Sequence, residues 1–170
     1  MREVGWFKWL LLSGTLSWAM LAHAATAPQG PAGSDQEFVQ RALAVNEGEV
    51  QLGQIATARG STPDVKATGE NMVQKHTQLG QQLGGLASQL GASPTAELSA
   101  EQRDTLSRLR AVPASEFDPA FKQVVDEGHA KELAMYRDWL ARTDNPQVRK
   151  LAEGRVEALQ KSLGMTTPAQ

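Results

Sequence analysis

The sequence predicts an all-α protein, an antiparallel four-helix bundle with one short extra helix between the second and third long helices. Three observations lead to this fold class. Capping residues followed by proline, or by Glu or Gln three residues later, recur along the chain after residue 33. Apolar residues between these helix starts recur at steps of three and four. No segment alternates with the period of a β-strand.

Residues 1–24 have the pattern of a secretory signal peptide. Arg2 and Lys8 flank the start of an apolar run, and the segment ends in Ala-His-Ala at Ala24. We expect cleavage after Ala24 and export to the periplasm, because a basic start and a small-x-small ending mark cleaved signals. An uncleaved anchor is the alternative, but the run is shorter than the ~20 apolar residues that a membrane span needs.

The composition of the exported chain excludes several classes of protein. Of 17 basic and 19 acidic side chains, cleavage removes Arg2, Lys8 and Glu3, which leaves a net charge of −3. A nucleic-acid-binding protein would show a basic patch or tail, and none is present. The chain has no cysteine, hence no disulfide framework. We expect no transmembrane segment after cleavage; peripheral association with the outer membrane and the identity of any protein partner stay open.

The domain limits follow from the helix signals. Residues 25–34, rich in Pro, Gly and Ala, are expected to form a flexible leader, residues 35–163 the bundle, and residues 164–170 a C-terminal tail. The long helices are predicted at about 35–59, 63–90, 119–142 and 146–163, and the short one at about 99–111.

Each helix has its own start or stop signal. Two helix starts are capping boxes, Ser34 with Glu37 and Ser99 with Gln102. Three starts combine a capping residue with a following proline, at Thr62-Pro63, Asp118-Pro119 and Asn145-Pro146. Two glycines, Gly60 and Gly91, are expected to close the first two helices, and Gly60 can do so in the left-handed conformation.

Polar side chains interrupt the apolar stripes near the middle of three helices. Glu49 does so in helix 35–59 and His76 in helix 63–90, while His129 lies near the midpoint of helix 119–142. Antiparallel helices of similar length pack with their midpoints at one height. We therefore expect Glu49, His76 and His129 to meet inside the bundle.

Three interpretations of this meeting point stay open. The first is a metal site, since imidazole and carboxylate ligands suit Zn, Cu or Fe, with Asp126 or Glu132 as reserve or supporting groups. The second is a buried hydrogen-bonded layer that fixes helix register without a cofactor. In the third, His129 faces solvent and no site exists. A complete di-iron site is disfavoured because Glu-x-x-His is required on two helices, and Val73 precedes His76 by three residues.

The function classes that can be named are few. The chain has no nucleophile elbow, phosphate loop or His-Glu-x-x-His motif. The sequence therefore favours a non-enzymatic exported bundle with an envelope or stress-related role, although enzymatic activity is left open. The alternative is a ferritin-like metal-binding or redox protein.

Four stretches of the chain carry a family resemblance. They are DQEFVQRALAVNEGEVQLGQIATARGSTPDVK from Asp35, NMVQKHTQL from Asn71, FDPAFKQVVDEGHAKEL from Phe117 and DNPQVRKLA from Asp144. Together they resemble the bacterial domain-of-unknown-function family 4142 over about residues 35–163. The resemblance implies a ferritin-like bundle, an exported or outer-membrane-associated protein without established activity, and functional positions at Glu49, His76 and His129.

The chain departs from the pattern of this family at two positions. Lys75 stands where the family usually has an acidic residue, and Ser162 stands where it usually has a further histidine. If the family binds a metal through all these positions, this chain has lost one ligand and one supporting carboxylate. The departures favour a structural or partner-binding role.

Overall fold

The computed structural model describes residues 34–165, which contain five α-helices and no β-strand. The helices are α1 (Asp35–Arg59), α2 (Pro63–Gln89), α3 (Ala100–Ala111), α4 (Phe117–Leu140) and α5 (Pro146–Ser162), and a short 3-10 turn (Ala114–Glu116) leads into α4. The all-α prediction is confirmed, and every predicted helix limit lies within two residues of the observed one.

Some predictions fall on other parts of the chain. The signal peptide, nearly all of the leader and most of the C-terminal tail lie outside the described residues. Within 34–165, no helix has the length and apolar character required to cross a membrane.

Polar side chains cap four of the five helices as predicted. Capping boxes start α1 at Ser34 and α3 at Ser99. The Thr62 hydroxyl accepts a hydrogen bond from the backbone N–H of Val65 at the start of α2. The side-chain oxygen Oδ1 of Asn145 accepts hydrogen bonds from two backbone N–H groups in the first turn of α5. Each cap satisfies N–H groups that have no partner within the helix.

The predicted cap of α4 at Asp118 is wrong. α4 begins at Phe117, and Glu116 before it makes no capping hydrogen bond through its side chain. The Asp118 carboxylate instead accepts hydrogen bonds from the backbone N–H groups of Ser61 and Thr62, at 2.8 and 3.0 Å. These bonds hold the pKa of Asp118 below its usual value. Asp118 therefore ties the turn between α1 and α2 to the start of α4.

The two glycines predicted to end helices behave differently. Gly91 follows the end of α2 as predicted and adopts a left-handed φ of 73°, and the N–H of Ala92 donates to the carbonyl oxygen of Ala87 at 2.8 Å. Gly60 has φ of −51°, so the left-handed prediction is wrong there. A Cβ at Gly60 would lie 2.8 Å from the carbonyl oxygen of Ala56, so close packing accounts for that glycine.

α1 and α2 pack with their backbones in direct contact. A Cβ added to Gly69 of α2 would lie 2.6 Å from the carbonyl oxygen of Gly53 and 2.7 Å from the backbone nitrogen of Thr57, both on α1. Near the other end of the pair, the Gln36 side chain donates to the carbonyl oxygen of Leu90. The contacts along the two helices therefore run in opposite chain order.

Two apolar clusters fill the interior. The larger cluster consists of Phe38, Val39, Ala42, Leu43, Leu83, Leu86, Ala87, Leu133, Tyr136, Trp139, Val148, Ala152 and Leu159. The smaller cluster consists of Leu52, Ile55, Ala56, Met72, Leu106, Leu109, Phe117 and Phe121. Along α1, α2 and α4 the two clusters occupy opposite ends of the helix, so each helix has a middle segment between them.

Two glycine-to-alanine changes in α2 test the close contact between α1 and α2. Gly69→Ala is expected to destabilise the protein by roughly 1–3 kcal/mol, because its methyl group would overlap backbone atoms of α1. Gly85→Ala is the matched control: apart from its chain neighbours and the backbone of its own helix, no heavy atom of the described residues lies within 4 Å of its Cβ position, so the change is expected to stabilise α2 by about 0.5–1 kcal/mol. Urea unfolding measures the change in unfolding free energy for both variants. Equal changes would contradict the close backbone contact between α1 and α2 at Gly69.

Candidate metal centre

Polar side chains, all buried except the half-buried Arg155 and the exposed Ser162, lie between the two apolar clusters. We call this set the polar layer: Asn46 and Glu49 of α1, His76 of α2, His129 and Glu132 of α4, and Arg155 and Ser162 of α5. Its acidic and imidazole members are 3 to 9 % exposed. Because burial of polar groups without partners is costly, the contacts of each member need to be accounted for.

The structure brings the three predicted residues together. Glu49, His76 and His129 each offer one ligand atom, and these atoms all lie within 4.8 Å of one another. Nε2 of His129 lies 4.0 Å from Oε2 of Glu49. The interpretation in which His129 faces solvent is wrong, since its side chain turns inward to contact α1 and α5.

Hydrogen bonds fix the orientation of both imidazole rings. Asn46 donates through Nδ2 to the backbone oxygen of His76 at 2.9 Å, so its Oδ1, 3.0 Å from Nδ1 of His76, is placed to accept the ring N–H. On His129, Nδ1 lies 2.9 Å from the hydroxyl of Ser162. These contacts leave the Nε2 atoms for an ion, and such supporting bonds are typical of histidines that bind metals.

Glu132 belongs to the polar layer but already has a cationic partner. The Arg155 guanidinium donates two hydrogen bonds to Oε1 of Glu132, at 2.7 and 3.2 Å. Asp126, the other acidic residue proposed as a reserve group, lies at the surface and pairs with Lys122. The structure therefore places Glu132 next to the candidate ligands and keeps Asp126 out of the layer.

Sequence reasoning missed Arg155 and Asn46. Arg155 interrupts the apolar stripe of α5, which runs through Val148, Ala152 and Leu159 at steps of four and three. The same kind of interruption identified His76, so the sequence does contain a signal for Arg155. Asn46 precedes Glu49 by three residues and therefore shares its helix face.

Burial sets the protonation of the layer. Desolvation, reinforced by the negative charge of Glu132, raises the pKa of Glu49 to about 8. Desolvation, together with the positive charge of Arg155, lowers the pKa of His76 to about 3 and also lowers the pKa of His129. Near pH 7 the carboxyl of Glu49 is protonated and both rings are neutral. Glu49 and His129 are therefore not an ion pair, and the imidazoles are in the form that binds metals.

Three buried polar atoms have no hydrogen-bond partner among the described residues: Oε2 of Glu49, Oε2 of Glu132 and the hydroxyl of Tyr136. Buried polar groups without partners are rare in folded proteins and point to a bound water, an ion or a catalytic role. Two neutral imidazoles and a carboxylate with a free oxygen form a ligand set that fits a transition-metal ion. Bonds of roughly 2.0–2.1 Å would require the three side chains to close in on the ion.

The raised pKa of Glu49 predicts a pH-dependent stability of the metal-free protein. The folded chain holds this proton up to a pKa of about 8, whereas the ordinary pKa of a glutamate carboxyl is 4.5. The advantage of the folded state is complete below pH 4.5 and declines as the pH rises through 8. We expect this carboxyl to contribute a loss of about 1.5 kcal/mol between pH 6.5 and pH 8, which is partly offset because His76 and His129, neutral in the fold, become neutral in the unfolded chain over the same range.

Urea unfolding with a chelator present measures this loss. Glu49→Gln is the matched control, because glutamine resembles the protonated carboxyl and cannot ionise; most of the decline should disappear in this variant. A variant that loses stability as steeply as the parent would contradict the assignment to Glu49.

Comparisons with known proteins agree with an all-helical fold. One similar solved structure is CopM in the Cu(I)-bound form, with 16% sequence identity and a TM-score of 0.67 over 78% of this chain and 91% of that chain. Another is a DUF305 fragment from Deinococcus radiodurans, with 18% identity and a TM-score of 0.62 over 80% of this chain and 99% of that chain. At these identities the likeness shows the fold alone. No curated protein matches the chain.

The family suggested by the four stretches of sequence is confirmed. The family model described as "Domain of unknown function (DUF4142)" matches residues 20–167, which include the whole polar layer. The chain belongs to the DUF4142 family.

Proposed function

We propose that this protein is an exported metal-binding bundle whose polar layer holds one transition-metal ion through Glu49, His76 and His129. The observation that carries this proposal is geometric. Three side chains from three helices present ligand atoms within 4.8 Å of one another in a buried layer. Of these, Oε2 of Glu49 has no hydrogen-bond partner.

The chemistry of the layer supports one ion with three protein ligands. Neutral imidazoles and a carboxylate suit divalent zinc, copper or iron, and three protein ligands leave a coordination position open. The structural likeness to a protein in a Cu(I)-bound form adds copper in either oxidation state to the metals worth testing. The Glu132–Arg155 pair keeps the second glutamate engaged, which supports one ion rather than a di-iron centre.

The helix contacts support an antiparallel four-helix arrangement of the ferritin-like kind. On α4 and α5, Glu132 contacts Arg155 while His129, earlier in the chain, contacts Ser162, later in the chain. The contacts between α1 and α2 run in opposite order too. In such a bundle the middle segments of the four long helices face one another, where metal sites are commonly built.

The exported location and the biological role form part of the same proposal. The support for export is the signal-peptide pattern of residues 1–24. A periplasmic protein with a buried ion and no recognisable catalytic motif fits a non-enzymatic envelope or stress-related role, with peripheral outer-membrane association as one form of it. A redox role is the alternative that the open coordination position would support.

The metal content of the exported chain tests the site. Residues 25–170, purified without chelator, are expected to carry one transition-metal ion per chain by elemental analysis. The His76→Ala/His129→Ala double variant should lose it, because a carboxylate alone cannot hold the ion. Asp126→Asn is the matched control and should retain the ion, since Asp126 is exposed and paired with Lys122.

The small number of histidines makes the imidazole ligands easy to assign. Its third histidine, His23, lies within the signal peptide, so any imidazole ligand seen spectroscopically in residues 25–170 must be His76 or His129. A metal-free parent whose double variant unfolds at lower temperature would refute the metal site and leave the polar layer as a device that fixes helix register.

The proposed export predicts a shortened protein in the periplasmic extract. Osmotic shock of cells that express the full chain should release it, and its intact mass should correspond to a chain that begins at Ala25. Full-length protein in the cytosolic or membrane fraction would contradict cleavage after Ala24.

A further inference from the structure

A cavity of about 400 Å³ opens on the outside of the protein between α1, α3 and α4. Its size falls in the range of small-molecule sites. Leu52 and Leu106 line its inner part, and Val45 and Val124 line its walls nearer the surface. Neither candidate histidine lines the cavity, so it is a separate space beside the imidazoles.

The inner end of the cavity is acidic. Glu49 and Glu132 both line it, with exposures of 6 and 3 %, and one carboxylate oxygen of each has no hydrogen-bond partner. Arg155 pairs with the other oxygen of Glu132. Two carboxyl groups therefore adjoin the cavity, and the guanidinium pairs with that of Glu132 alone.

The mouth of the cavity is charged but balanced. Its exposed residues include Arg41, Glu101, Glu127 and Lys131, two of each sign. Lys131 of α4 pairs with Glu101 of α3 at 2.6 Å. Gly128 lines the inner wall, and a Cβ there would lie 3.3 Å from Oε1 of Glu49, so the bare glycine leaves the approach to this carboxylate open.

We propose that this cavity binds a small organic cation, an ammonium group carried on an apolar body. The ammonium lies against the carboxyl groups of Glu49 and Glu132, to which it donates charge-assisted hydrogen bonds. The apolar body packs against the leucine and valine side chains of the walls. The site is distinct from the metal site, although the two share Glu49 and therefore compete.

Calorimetric titration of the metal-free 25–170 chain at pH 7 tests this proposal. The probes are benzylammonium, benzyl alcohol as its neutral analogue of similar shape, and benzoate as its anionic counterpart. We expect benzylammonium to bind at least about tenfold more tightly than benzyl alcohol, and benzoate not to bind, because only the cation matches the acidic inner end. Equal binding of amine and alcohol, or no binding of either, would overturn the proposal.

Variants locate the binding and separate it from the metal. Val45→Phe and, as a second filling variant on α3, Thr105→Phe should abolish amine binding while leaving metal binding intact. His76→Ala should abolish metal binding and leave amine binding intact, because His76 does not line the cavity. Glu49→Gln should reduce benzylammonium binding to the level of benzyl alcohol. Amine binding that survives both filling variants, with thermal unfolding showing that they fold, would place the amine elsewhere and refute this site.

Discussion

The structure depends on how a protein core accommodates two carboxyl groups and two imidazoles with one guanidinium among them. Burial disfavours every charge in the layer, so the carboxyl of Glu49 takes up a proton and both rings stay neutral, while Glu132 relies on Arg155. Two apolar clusters stabilise the helices on either side, which allows the middle of the bundle to remain polar. Any cation that enters the layer replaces the proton on Glu49.

The helix pattern was readable from the sequence because caps and periodicity are local properties. The same pattern identified Glu49, His76 and His129, since a polar residue in an apolar stripe is visible without knowledge of the fold. Asp118 was misread because its partners, Ser61 and Thr62, lie more than 50 residues away and compete with its own helix for the carboxylate. Gly60 was misread because packing, rather than handedness, requires a glycine there.

The contacts of the layer were beyond sequence reasoning for a related reason. The apolar stripe of α5 marks the inward face that includes Arg155, but its partner Glu132 lies on α4, so the pairing is seen only in the structure. Ser162, which stands where the family usually has a histidine, remains part of the layer and contacts His129. The substitution therefore exchanges a possible ligand for a group that orients another ligand.

The attachment of α3 has a consequence for the motions of the molecule. At the N-terminal end of α3, the polar contacts with the long helices are the hydrogen bond from Gln102 to the backbone oxygen of Ala44 and the exposed pair between Glu101 and Lys131. At its C-terminal end, the Arg59 guanidinium of α1 donates to the carbonyl oxygens of Leu109 and Arg110. Exposed pairs such as that of Glu101 and Lys131 contribute little to stability, whereas α1 and α2 touch backbone to backbone. The N-terminal end of α3 is therefore held more weakly than the long helices, and we expect it to open locally before they unfold. Such an opening would widen the entrance to the cavity that α3 lines, while the long helices stay folded.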